Sequence, residues 1–142
     1  EALRFFAELK GEKVSDEQVA QALSQLSIED LAQRKVKSLS KGQLQRVGLA
    51  SMILTKNDFF IFDEPFSGLD PIGIKEAKEL FISLKNSGAT VIVNTHILSE
   101  MEKLCDKVVL INKGQILYSG AIEGEVAAKG LEQFFYDAVK GN

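Results

Sequence analysis

Two adjacent carboxylates, Asp63 and Glu64, follow the apolar run of residues 59–62 and precede Pro65. That run reads as a buried strand entering a loop, and in an open parallel sheet ligands bind beyond the carboxyl ends of the strands. One carboxylate there can hold Mg²⁺, a hard cation that takes oxygen ligands and keeps several waters. The other can orient and deprotonate an attacking water. A solvated loop with two acids would explain the same pair. A second group is Leu39, Ser40, Lys41, Gly42 and Gln43, followed by Arg46. Serine and glycine at a helix start expose backbone N–H groups and the positive end of the dipole, which suits a phosphate. Gly42 leaves room for close approach and Lys41 adds charge; a plain capped helix is the alternative, because Ser40 and Gln43 form a capping box without any ligand. The single histidine, His96, lies just past the β-branched stretch 90–94, at the sheet edge expected to carry Asp63 and Glu64. It can donate a hydrogen bond to a phosphate or to the lytic water, or serve as a structural or solvated side chain.

These residues need elements to hold them. Residues 1–57 read as helical, with Leu3, Phe5, Phe6 and Leu9 in one apolar cluster and Val19, Ala20, Leu23 and Leu26 at helical spacing. Ser15 with Gln18 predicts one capping box, and Ser40 with Gln43 another, opening a helix through Leu44, Val47 and Leu54. From Asp58 the character changes to strands alternating with helices. Asp70 followed by Pro71 predicts an N-cap and a proline at the first helical position; Ile74, Ala77, Phe81 and Leu84 share one face of that helix, which stops near Gly88. Residues 90–94 predict a second strand, and Ser99 with Glu102 predicts a capped short helix through Met101 and Leu104. Residues 108–111 predict a third strand, turned by Asn112, Lys113 and Gly114 into a fourth over 116–119. Leu131, Phe134, Phe135, Ala138 and Val139 close the chain in an amphipathic helix. Strand and helix in alternation at these spacings predict an α/β fold with a parallel sheet, with the composition shift near residue 57 as the boundary between segments 1–57 and 58–142.

The 142 residues fit one domain of ordinary size, and 45% apolar residues can bury a core. Seventeen Lys and Arg against 20 Asp and Glu leave a net charge of −3 without a long block of either sign, so nothing advertises a nucleic-acid partner. A single cysteine, Cys105, excludes an internal disulfide framework and a Cys-cluster metal site, and fits a reducing cytosolic setting. The longest apolar runs are far short of the roughly 18 residues of a membrane span, and the first ten residues do not look like a signal peptide. The chain begins at Glu1 rather than at a methionine, which suggests an excised piece.

Taken in order, Leu39-Ser40-Lys41-Gly42-Gln43, residues 59–64 with Pro65, Ser67-Gly68-Leu69-Asp70 and Thr95-His96 resemble the ATP-binding cassette (ABC) ATPases across most of the chain. The resemblance implies part of a P-loop (RecA-like) sheet with an N-terminal helical subdomain. Residues 39–43 look like the family's signature motif, 59–64 like Walker B, 67–70 like the D-loop and His96 like the switch histidine. By that likeness two subunits face each other head to tail, each ATP lying between the P-loop of one and the signature helix of the other. Asp63 would hold Mg²⁺ through water, Glu64 would be the general base, and His96 would touch the γ-phosphate. Ser40, Lys41, Gly42 and Gln43 would cover the partner's ATP, while Ser67, Gly68, Leu69 and Asp70 would signal across the interface.

The sequence also departs from the family pattern. Lys41 stands where the commonest motif has a second glycine, a variant tolerated if the side chain points outward. No Gly, four residues, then Gly-Lys-Ser/Thr occurs in the 142 residues, and neither the glutamine loop nor an adenine-stacking aromatic is identifiable. Alone, the chain is therefore expected to bind ATP negligibly and to be inactive. In the family's sheet order the P-loop strand lies between strands 90–94 and 108–111, so two strand edges are expected to be left open, inviting a swapped assembly. Residues 94–120 look most like bacterial multidrug and antibiotic export ATPases. That likeness implies a cytoplasmic subunit on the inner face of the membrane, without insertion of its own, and a separate membrane-spanning permease docked near the helical subdomain. The alternative is a non-transport relative: a repair or chromosome ATPase, whose heptad arms or zinc cysteines are not seen in these residues, or a two-cassette translation factor.

Overall fold

The computed structural model describes residues 1–141, which form two compact units, 1–95 and 96–141. The change of sequence character at Asp58 falls inside the first unit. That unit opens with three helices: α1 (Ala2–Leu9), α2 (Asp16–Ser24) and α3 (Lys41–Ile53). Short 3₁₀ turns at Glu29–Leu31 and Val36–Ser38 carry the chain from α2 to α3. The capping box expected at Ser15 is present: its hydroxyl accepts from the Gln18 N–H while the Gln18 side chain accepts from the Ser15 N–H. Both α1 and α2 pack on α3, burying Leu3, Ala7, Leu23, Leu26, Ile28, Leu31, Leu49 and Leu54. Of the apolar cluster read in α1, only Leu3 goes inward. Phe5, Phe6 and Leu9 remain 56%, 45% and 67% exposed, because the i, i+4 pair Leu3 and Ala7 is the face that is buried.

The apolar run at 59–62 becomes β1 (Phe59–Asp63), followed by α4 (Pro71–Asn86) and β2 (Thr90–Asn94). β1 and β2 pair in parallel with Phe59 opposite Thr90 and Asp63 opposite Asn94, so both strands end at one edge. Alternation along β1 buries Phe60 and Phe62. The Phe62 ring meets Phe81 of α4 with centroids 4.7 Å apart, and Phe66 reaches the same ring at 5.9 Å. Each such buried aromatic contributes about 1.5–3 kcal/mol, against about 0–1 kcal/mol for a surface ion pair, so this cluster fixes where β1 ends. The opposite face shows Phe59, Ile61 and Ile92, each about half exposed.

In the second unit α5 (Leu98–Met101) is followed by β3 (Lys107–Asn112), β4 (Gln115–Ala121), α6 (Gly124–Lys129) and α7 (Leu131–Lys140). β3 and β4 form an antiparallel hairpin with Asn112 opposite Gln115. Lys113 and Gly114, at φ +47° and +78°, make the two-residue turn whose twist matches paired strands. Among the described residues each sheet has two strands, and the parallel pairing expected of an α/β fold is that of β1 with β2. The cap expected from Ser99 and Glu102 is not formed: α5 starts at Leu98, and its N-cap residue Ile97 gives no side-chain cap. A Glu102 carboxylate oxygen instead accepts the Leu131 N–H at 3.2 Å, at the start of α7. Lys129 sits between Glu125 and Asp137, each at 2.9 Å. The hydrogen bonds that Lys129 donates to the Asp137 and Glu125 carboxylates raise its pKa, and Lys129 in turn lowers that of Asp137. No helix among the described residues is long and apolar enough to cross a membrane.

Candidate functional site

Ser40 has extended backbone at φ −68°, ψ +166° and begins α3. Its Oγ accepts the Gln43 N–H at 3.2 Å, and Gln43 Oε1 accepts the Ser40 N–H at 3.0 Å. That box leaves the Lys41 and Gly42 amides without an acceptor inside the helix, because the first turn has no preceding carbonyls. Ser40 is exposed and Gly42 and Gln43 are half-buried, so this helix start is open to a ligand rather than sunk in the core.

The loop between β1 and α4 packs on it. A Cβ built on Gly42 would lie 2.5 Å from the Gly68 carbonyl oxygen, a contact only glycine permits. Gly68, at φ +78°, is itself crossed by the aliphatic stem of Lys41, whose Cγ and Cδ would stand 3.0 Å from a Cβ there. Lys41 is exposed, but its stem lies along the loop rather than pointing freely outward. Ser40, Gly42 and Gln43 thus meet Gly68, Leu69 and Asp70 around an open cleft of about 410 Å³, with Ser27, Asp30 and Arg46 also on its wall. Ser67 is half-buried in the same loop, its N–H donating to the Glu64 carbonyl at 3.0 Å.

Asp70 Oδ1 caps α4 by accepting the Gly73 N–H at 2.7 Å, and it also accepts from Arg46 Nη2 at 3.0 Å. The Gly73 bond first, and Arg46 second, lower the Asp70 pKa below the ordinary 3.8. A depressed carboxylate pKa means that the ionised form favours the fold, fully so above pH 3.8 and progressively less as pH falls through the lowered value. In urea titrations the unfolding midpoint should therefore drop on acidification below pH 4 more steeply in the wild type than in Asp70→Asn, which caps without titrating. Equal slopes would show that this carboxylate carries no pH-dependent stability.

Asp63 and Glu64 stand at the carboxyl end of β1. The exposed Asp63 carboxylate accepts from Asn94 Nδ2 at 2.6 Å. Glu64 is half-buried and has left-handed backbone at φ +46°, a conformation disfavoured for a non-glycine residue. Its N–H donates to the Asn94 carbonyl at 2.8 Å, so Asn94 braces both acids. Among the described residues no group of three or more His, Cys, Asp and Glu could enclose a metal. A lone exposed carboxylate fits a cation that keeps most of its waters, as Mg²⁺ does. His96 is exposed in the bend between β2 and α5 and opens the second unit. The first unit therefore brings together residues 40–43 and 67–70 and sets residues 63–64 at one end of the latter loop.

Asn94, Gln45, Glu76 and Gly73 were not among the residues singled out from sequence, and Arg46 was noted without a role. Arg46 does carry a local signal, a cation between Leu44 and Val47 and only 14% exposed, which asks for buried partners. Asn94, Gln45 and Glu76 become legible only through contacts 20 or more positions apart, such as Gln45 Nε2 to the Pro65 carbonyl at 3.0 Å, whereas Gly73 meets Asp70 three positions before it as well as the distant Arg46.

Residues 2–67 match the ABC transporter family model. The chain is 38% identical over 127 residues to an uncharacterized ABC transporter ATP-binding protein of Methanocaldococcus jannaschii, covering 87% of this chain and 48% of that one. It is 35% identical over 126 residues to the lantibiotic transport ATP-binding protein SrtF of Streptococcus pyogenes, covering 89% and 54%. Among solved structures it resembles an ATP-binding subunit of an ABC transporter, with TM-score 0.82 and 26% identity over 96% of this chain and 60% of that one. It also resembles cbiO1 of Clostridium perfringens, described as part of the ABC transporter complex cbiONQ, with TM-score 0.68 and 30% identity over 89% and 51%. The chain spans about half the length of these two curated relatives.

Proposed function

The chain is a portion of an ABC transporter ATP-binding domain, and from that premise we propose that it supplies the catalytic carboxylates and the trans-acting helix of an exporter's ATPase. Residues 1–57 are read as the helical subdomain and 58–142 as the later part of the ATPase core. Support comes above all from one observation: the open helix start at Ser40 and the loop that begins at Glu64 are packed together, with Gly42 against the Gly68 carbonyl.

In this reading two subunits bind ATP between them. The exposed amides of Lys41 and Gly42, with Ser40 and Gln43, receive the γ-phosphate of ATP held by the partner, using the positive end of the α3 dipole. Asp63 would hold Mg²⁺ through water, and the ion would supply neutralisation of phosphate charge. Glu64 accepts a proton from the attacking water, whose oxygen bonds to the γ-phosphorus while the bond to the ADP oxygen breaks. His96 donates a hydrogen bond to the γ-phosphate. Ser67, Gly68, Leu69 and Asp70 lie at the surface between subunits and report its state. The exposed Phe5, Phe6 and Leu9 face of α1 is suited to a membrane-spanning permease, since exposed apolar patches mark contact sites. Export as the direction is supported by the similarity to a lantibiotic transport protein, and the subunit is placed on the inner face of the membrane.

This reading makes the chain by itself a poor nucleotide binder, because it has no glycine-rich loop with lysine to cradle the β- and γ-phosphates. Titration of the 142-residue chain with a fluorescent ATP analogue should show no saturable binding up to millimolar concentration, whereas a full-length subunit should saturate. Saturable micromolar binding by the chain alone would show that the nucleotide is held by residues other than those proposed.

A further inference from the structure

Both ends of the 64–70 loop are tied to α3 by two consecutive residues. Gln45 Nε2 donates to the Pro65 carbonyl at 3.0 Å, immediately after Glu64. Arg46 Nη2 meets Asp70 Oδ1 at 3.0 Å at the other end. The same guanidinium is anchored behind the loop, where Nη1 donates to the Leu26 carbonyl at 3.0 Å and lies 2.8 Å from Glu76 Oε2 on α4. Arg46 is 14% and Glu76 13% exposed, so this is a largely desolvated charge contact rather than a solvated surface bridge, and the one guanidinium reaches the Leu26 carbonyl, Glu76 and Asp70 together. Planar guanidinium geometry serves such divergent acceptors at once, which an ammonium cannot do. Gly73 completes the arrangement: a Cβ there would approach Arg46 Nη2 to 2.9 Å and Asp70 Oδ1 to 3.0 Å.

We infer that Gln45 and Arg46 are positioning residues, by which the helix whose start receives the partner's nucleotide sets the placement of the Glu64 carboxylate and of the following loop. The inference rests on the reading that Glu64 is the general base and that residues 40–43 act in trans. Neither side chain touches the reacting atoms; each acts through the backbone or carboxylate of the 64–70 loop. A capping box at the front of α3 and a clamp one turn later place ligand contact and loop restraint on one rigid element, which is how a displacement at one site reaches another.

The test uses the full-length ATPase with Arg46→Lys, which keeps the charge but loses the fork, and Gln45→Met, which keeps the length but loses the donor. Steady-state kcat and KM for ATP, backbone amide exchange over residues 64–70 and the thermal midpoint are measured for each. For Arg46→Lys, kcat should fall about tenfold or more with KM changed less than about threefold, since small misplacements of a reacting group cost up to about a hundredfold. Exchange should quicken selectively over 64–70. Gln45→Met should shift the same two readouts in the same direction, and it decides the matter if Arg46→Lys fails to fold. Unchanged kcat with faster exchange, or lowered kcat with unchanged exchange, overturns the inference. A Glu64→Gln control separates the two ideas: normal turnover in that variant removes the function reading, while exchange over 64–70 still reports whether the clamp restrains the loop.

Discussion

Glu64→Gln in the full-length protein should, on the proposed role of Glu64 as general base, lower ATP turnover by about a hundredfold to ten-thousandfold, while ATP binding persists. The amide preserves the size and much of the hydrogen-bonding shape of the carboxylate but cannot accept a proton from water. Local structure should survive, because the backbone bonds that place residue 64 come from its own N–H to Asn94 and its carbonyl to Ser67, not from the side chain. With hydrolysis blocked and nucleotide retained, the proposed pairing of subunits should accumulate as an ATP-bound dimer, visible by size-exclusion chromatography with ATP. Near-normal turnover would reassign the base; loss of binding along with turnover would mean that the side chain grips nucleotide instead.

The second large effect is expected at Gly42. In Gly42→Ala the new methyl would sit 2.5 Å from the Gly68 carbonyl oxygen, an impossible contact with backbone rather than with a flexible side-chain end. Either the start of α3 or the 64–70 loop must move, and in both cases the helix amides and the Glu64 loop lose their mutual placement. Overpacking of this kind costs about 1–3 kcal/mol of stability, and an ångström-scale misplacement costs up to about a hundredfold in rate. Gly48→Ala is the matched control on the same helix, because nothing lies within 4 Å of a Cβ there. An exposed helix-interior glycine replaced by alanine should stabilise by up to about 1 kcal/mol. The thermal midpoints should therefore move in opposite directions, down for Gly42→Ala and up for Gly48→Ala, and turnover should fall in Gly42→Ala alone; equal behaviour would mean that the close approach at Gly42 is dispensable.

How much of this could be read from the residues alone follows from the range of each interaction. Both capping boxes, at Ser15 and Ser40, and the Asp70 cap before Pro71 are four-residue devices, and each is present. The Lys113-Gly114 turn is equally local. Glu102 shows the limit: its spacing from Ser99 mimics a capping box, yet its carboxylate serves an amide 29 positions away, because a distant helix start offered the better donor. The same holds for α1, where Leu3, Phe5, Phe6 and Leu9 read as one apolar cluster, yet only Leu3 is buried, together with the unremarked Ala7. Of the site, the two carboxylates and the Ser40 helix start could be named from motif and spacing. Asn94, Gln45 and Glu76 could not, since an amide or carboxylate in a helix or strand has no pattern of its own until a partner from elsewhere in the chain closes on it.

The left-handed backbone of Glu64 sets durability against work. A glutamate held at φ +46° carries strain of about 1–3 kcal/mol, and asparagine or glycine would occupy that conformation more comfortably. A variant selected only to endure heat would accordingly tend to discard the acid at this position, so hardier forms of this protein should be sought in its helices and turns and not at the end of β1.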